Sequence, residues 1–220
     1  MNCEVFDLKD LDVEHYQVRE VLRCILHTIM FNRALGLVRP RDVDSELFDI
    51  TYVQCGDASI EKRIEERIDQ FCGWVEKHPT RKGQICLSFY NEKKSKQIWF
   101  SRQVERQYWE QWNVNLNVAK PGQEDAPAPQ KQEFSAFTDS AEAVLEDRNR
   151  RQAALEGSLR EVLLQVLQIV NEKKEHIPPV IHSDVASFPY EITIPNSSES
   201  MFGMDMVKRM LQTPPPSMLN

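Results

Sequence analysis

Trp112-Asn-Val-Asn-Leu-Asn-Val118 alternates strictly between apolar residues and asparagine, and this stretch restricts the fold more than any other. A period of two places every apolar side chain on one face of a strand and every asparagine on the other. Such a strand is half-buried, with one face on a core and one in water. Gln84–Tyr90 carries a related signal, with Ile85, Leu87 and Phe89 on one face. Two such neighbours are most simply an antiparallel hairpin, with residues 91–108 as its long tip. A tip of that length in a compact domain points to function.

Helical periodicity surrounds this hairpin. His15–Arg33 presents Val18, Val21, Leu22, Ile25, Leu26, Ile29 and Met30 as one wide apolar stripe, and Gly36 and Pro40 end it. Ile60–Lys77 carries Ile60, Ile64, Ile68, Phe71, Cys72 and Val75, with Asp57 or Ser59 as its cap. Asp139-Ser-Ala-Glu142 resembles a capping box and opens a third helix running to about Lys174. Its buried face is Leu155, Leu159, Val162, Leu163, Val166, Leu167 and Val170, and Pro178-Pro179 forbids continuation. Cys3–Leu8, Leu47–Cys55 and the alternation Tyr190, Ile192, Ile194 read as further strands, and Phe202–Leu211 as a short helix.

The order β-α-β-α-β-β-α-β-α is neither steady βαβ alternation nor separate blocks. It predicts an α+β single domain, three main helices packed on one face of a mostly antiparallel sheet. The domain spans residues 1–212. Residues 119–138, rich in Pro, Ala, Gln and Glu, form a flexible insertion, and 213–220 a disordered tail.

Trp99 and Phe100 stand side by side in the polar run Asn91–Gln103. An exposed aromatic pair is costly in solubility and is usually kept for binding. The alternative is that the loop folds back and the pair fills a satellite core.

Charge and cysteine usage narrow the function classes. The net charge of −7 argues against a generic binder of nucleic acid or anionic membranes. Lys93, Lys94 and Lys96 form a basic run that no stripe extends, so it reads as a solvated loop. The five cysteines, Cys3, Cys24, Cys55, Cys72 and Cys86, include no CxxC, and they fit reduced thiols in a cytosolic or nuclear protein. The opening Met-Asn-Cys-Glu-Val-Phe-Asp does not have the form of a secretory signal, and no apolar run is long enough to span a membrane.

No phosphate-cradling or metalloprotease motif is present. Cys24 and His27 lie one turn apart, but a structural zinc needs four ligands and no second pair has the spacing. They read as a buried thiol and a hydrogen-bonded core histidine. His176 and His182 read as polar loop residues flanking Pro178-Pro179. Glu61, Glu65 and Glu66 alternate with Lys62, Arg63 and Arg67 and read as a solvated, salt-bridged face. No cofactor or metal is expected, and a non-catalytic protein is favoured.

A family resemblance joins these readings. The segments Ile25-Leu-His-Thr-Ile-Met-Phe-Asn-Arg33 and Phe48-Asp-Ile-Thr-Tyr-Val53 carry it. So do Leu87-Ser-Phe-Tyr-Asn-Glu-Lys-Lys-Ser-Lys96 running into Trp99-Phe100-Ser101, and Trp109-Glu-Gln-Trp112. Ile169-Val170 through His176 to Pro178, and Pro189-Tyr-Glu-Ile192, continue it. In this order the chain resembles the autophagy-related protein 101 family, HORMA-domain subunits of the autophagy-initiating kinase complex. The resemblance implies a HORMA-like fold and a scaffold that pairs with the HORMA domain of autophagy-related protein 13. It also implies a cytoplasmic protein recruited to the preautophagosomal structure, and a Trp-Phe finger that recruits downstream factors. Trp99 and Phe100 fall in the finger's place. The family's finger has one residue between Trp and Phe, so either Ile98 or Trp99 fills the Trp position. An adaptor in chromosome or checkpoint signalling is the alternative.

Overall fold

The computed structural model describes residues 3–36, 38–78, 82–94, 104–119, 137–180 and 187–195, with backbone alone at 93–94, 104–105 and 137–144. The spine of the main sheet is the hairpin of β5 (Gly83–Lys94) and β6 (Val104–Val118). Along its other edge β6 takes β1 (Glu4–Asp7) and then β2 (Leu11–Val13), both parallel to it. β5 pairs antiparallel with β7 (Tyr190–Thr193), so the sheet runs β1-β6-β5-β7 with β2 also on β6. A separate antiparallel pair joins β3 (Arg41–Asp44) to β4 (Thr51–Gln54).

The expected hairpin is present, but its ladder runs on to Lys94↔Val104. Residues 91–94 and 104–108 are therefore strand, not tip. The strand expected over Leu47–Cys55 shortens to Thr51–Gln54. Ser45 explains why: its backbone N–H reaches Ile50 O at 2.9 Å, and its Oγ accepts the Leu47 and Phe48 amides at 3.3 Å. The resulting turn, not a strand, buries Phe48 and Ile50.

A 3₁₀ turn at His15–Gln17 leads into α1 (Val18–Asn32). Asp57 caps α2 (Ala58–Lys77), accepting the Ser59 and Ile60 amides at 2.8 and 3.2 Å. The third helix, α3, spans Phe137–Glu172, so Asp139 lies within its first turn and is not its cap. The expected helix over 202–211, the tail and most of the 119–138 segment lie outside the described residues.

All three helices feed one core. Val21, Leu22, Ile25, Leu26 and Ile29 of α1 are fully buried, as are Ile64, Ile68 and Phe71 of α2. They meet Ile85, Leu87, Phe89, Trp112, Val114 and Leu116 from the sheet. Each such side chain contributes about 1.5–3 kcal/mol on burial. α3 adds Leu155, Leu159, Val162, Val166 and Val170. Leu163 is only half-buried, and Leu167 lies exposed because it falls at the rim of the stripe. Gly83 lets α2 lie close, since a Cβ there would stand 2.6 Å from Phe71 Cζ. The architecture is the α+β arrangement expected, and it is consistent with a HORMA-like fold.

Candidate interaction site

The β5–β6 hairpin outruns its neighbours. β7 stops pairing at Phe89, and β1 pairs no further along than Glu110. Beyond them, Tyr90↔Tyr108 to Lys94↔Val104 make five further cross-strand pairs with no third strand among the described residues. At roughly 3.4 Å per residue this arm extends about 17 Å past the sheet. Its two strands are joined by residues 95–103. Ile98, Trp99 and Phe100 belong to that segment and lie outside the described residues.

A register shift marks the base of the arm. Phe89 pairs with Glu110 and Tyr90 with Tyr108, leaving Trp109 as the extra residue of a β-bulge. The bulge breaks the in-out alternation, so Trp109 and Glu110 are both buried. The Trp109 ring stacks on Phe89 at 5.5 Å and meets Phe188 edge-on at 5.0 Å.

Beside this bulge, Arg106 lies over the Tyr90 ring, 4.7 Å from its centroid, and donates to Glu191 at 2.8 Å. The Tyr108 hydroxyl donates to the same carboxylate at 2.6 Å. Burial, and then that carboxylate, push Tyr108 up to about 12, so the phenol stays protonated and keeps donating. Side chains thereby tie the start of the arm to β7.

Beneath the bulge sits a buried polar junction. Arg33, the residue following α1, grips Glu110 through Nε at 2.9 Å and Nη2 at 2.9 Å. Trp112 Nε1 donates to the same carboxylate at 2.6 Å, and His176 Nε2 makes a further 2.6 Å bond. A carboxylate only accepts, so that His176 nitrogen carries a proton. His176 is therefore not the polar loop residue its setting suggests: its ring packs at 5.9 Å from Phe6 and 5.8 Å from Trp109. His182 lies outside the described residues. The only sequence signal for the junction is a glutamate framed by tryptophans in Trp109-Glu-Gln-Trp112.

Other chemistry-bearing residues take structural places. Cys24 and His27 are both buried, and His27 stacks on Tyr52 at 5.6 Å. Burial pushes the His27 ring down to about 4 and the Cys24 and Cys86 thiols up to about 12. None of the five cysteines is in a disulfide. Lys62 and Glu66 form the exposed ion pair expected of α2, but Glu65 is half-buried and ties α2 to α1. It accepts Arg23 at 2.7 and 2.8 Å and Arg19 at 3.3 Å. Burial acts to raise Glu65, and the two arginines outweigh it, leaving the carboxyl below its usual range. Among the described residues, no group of three or more His, Cys, Asp or Glu is placed to hold a metal ion, and no helix is long and apolar enough to cross a membrane.

A second surface lies on α3. Leu164 is 64% exposed and Leu167 40%, three residues apart and so on one side of the helix.

Comparison with known proteins converges on one family. The family model for autophagy-related protein 101 matches residues 10–184. The chain is 56% identical over 219 residues to autophagy-related protein 101 of Arabidopsis thaliana, covering all of both chains. It is 25% identical over 202 residues to the Schizosaccharomyces pombe protein of that name, covering 92% of each. To the Homo sapiens protein it is 27% identical over 137 residues, covering 54% of this chain and 59% of the human one.

Proposed function

The chain belongs to the autophagy-related protein 101 family and has a role in autophagy; on that premise we propose that it serves there as a non-catalytic scaffold. In this reading it adopts the HORMA fold and pairs with the HORMA domain of autophagy-related protein 13. It joins the autophagy-initiating kinase complex, is cytoplasmic, and is recruited to the preautophagosomal structure.

Recruitment of downstream factors runs through Ile98, Trp99 and Phe100. The observation that carries this reading is the paired arm, which holds the two ends of residues 95–103 clear of the rest of the sheet. Aromatic side chains offered on such an arm suit a binding hot spot, because each ring contributes about 1.5–3 kcal/mol when a partner buries it.

Pairing is supported by the apolar side of α3 at Leu164 and Leu167, which the chain's own core leaves uncovered. Size-exclusion chromatography of the purified chain with the HORMA domain of autophagy-related protein 13 tests it. The reading expects one co-eluting species at micromolar concentration, and separate elution contradicts it.

A further inference from the structure

The connection from α3 to β7 is fastened to the base of the arm at three described points. His176 bonds Glu110 at 2.6 Å and packs its ring on Trp109. Phe188 meets Trp109 edge-on. The Tyr90 amide, at the first pair of the arm, donates to Pro189 O at 2.9 Å. Trp109 and Glu110 are the bulge itself, the point at which the hairpin leaves the support of β1 and β7. His176 supplies the one charge-assisted side-chain bond among these three points. Its partner Glu110 is fully buried, so the loss of that donor cannot be made good by water.

We propose that His176 is a positioning residue, a latch through which the α3–β7 connection sets the order and direction of the β5–β6 arm. Its importance for recruitment rests on the reading of residues 95–103 as the recruiting segment; its effect on the arm does not. With the latch closed, the bulge is clamped between α1 and the connection, and the arm leaves the sheet along one direction. With it open, the connection lifts from Glu110 at His176, and the base of the arm loosens on what remains: Arg33 on Glu110, Phe188 on Trp109, the Tyr90–Pro189 bond and Glu191.

Hydrogen exchange of the full chain tests this with two variants. His176→Phe keeps a ring against Phe6 and Trp109 but removes the donor. His176→Gln returns an N–H near the position of Nε2. In the Phe variant, exchange over residues 90–94, 106–108 and 173–180 should rise by at least about tenfold, with α1 and α2 unchanged. The Gln variant should recover most of the protection. A rise confined to 173–180, or one spread evenly over α1 and α2, overturns the proposal.

The unaltered chain gives a check that needs no variant. Under mild denaturant, the Tyr90 and Ile177 amides should open together with one denaturant dependence, and separate dependences overturn the latch. Exchange reads the arm with no recruited partner present. A coupled pattern therefore upholds the latch even where the change of Trp99 and Phe100 to Ala leaves recruitment intact, a result that overturns the recruiting role alone.

Discussion

Arg33 and Glu110 form a two-pronged ion pair in the middle of the protein, with side chains only 3% and 0% exposed. The pair joins the end of α1 to the bulge of β6, 77 residues further along the chain. Arg33→Met leaves a buried carboxylate with only Trp112 and His176, and should cost about 3–5 kcal/mol in urea unfolding. Adding Glu110→Leu should restore part of that loss, because the uncompensated charge is gone. A double variant as unstable as the sum of the singles would contradict this.

Two glycines separate backbone strain from crowding. Both Gly36 and Gly56 have positive φ, at 82° and 67°. A Cβ at Gly56 would come within 2.1 Å of Arg39 O, whereas at Gly36 it meets nothing within 4 Å among the described residues. Gly36→Ala should cost about 1–2 kcal/mol, the price of the left-handed conformation alone. Gly56→Ala must also push away the Arg39 backbone, whose amide bonds Cys55 O at 3.0 Å, and should cost clearly more. Thermal melts of the two variants give the comparison.

His27 makes stability depend on pH. Its folded pKa lies near 4, below the ordinary 6.5, because burial disfavours the charged ring. The unfolded chain therefore binds the extra proton between those values. The stability this group provides is complete above pH 6.5 and is lost as pH falls toward 4. The loss is on the order of 3 kcal/mol. His27→Leu should flatten the urea-derived stability profile between pH 6.5 and 4 relative to the parent. An unchanged slope would show that the ring is not buried neutral.

The apolar side of α3 gives a binding prediction. Leu164→Glu with Leu167→Glu should alter stability by no more than about 0.5 kcal/mol, since both side chains face water. Affinity for the HORMA domain of autophagy-related protein 13, read by calorimetry, should fall at least about tenfold. Unchanged affinity moves the pairing surface elsewhere.

What could be read from the sequence follows from how local each signal is. The α1 and α2 stripes and the Trp112–Val118 alternation are periodic over many residues, and they matched the core closely. β2, with three residues, and β3, Arg-Asp-Val-Asp, carry no such period. They are strands because β6 and β4 offer them partners. For the same reason Glu110 has no role of its own in the sequence reading, and His176 reads there only as a polar loop residue. Neither sits in an apolar pattern, and what buries them is a bulge and a contact between residues 66 positions apart. Glu65 looked solvated because Lys62, Arg63, Glu66 and Arg67 around it follow a surface pattern, while its partners Arg19 and Arg23 lie on another helix. The proposed recruiting residues, Ile98, Trp99 and Phe100, lie outside the described residues and rest on the sequence reading, with the described strands of the arm on either side of their segment.

In the proposed role, Trp99 and Phe100 recruit downstream factors and do not support the fold. The most direct test is the Trp99→Ala, Phe100→Ala double variant, produced at the parental level in cells lacking the endogenous protein. Thermal stability, pairing with autophagy-related protein 13 and autophagic flux are measured on that one variant. A recruiting pair gives a melting temperature within about 2 °C of the parent, intact pairing and failed flux. A fall in stability of several kcal/mol would place the two rings in a core. Normal flux from a stable, paired protein would contradict the recruiting role outright.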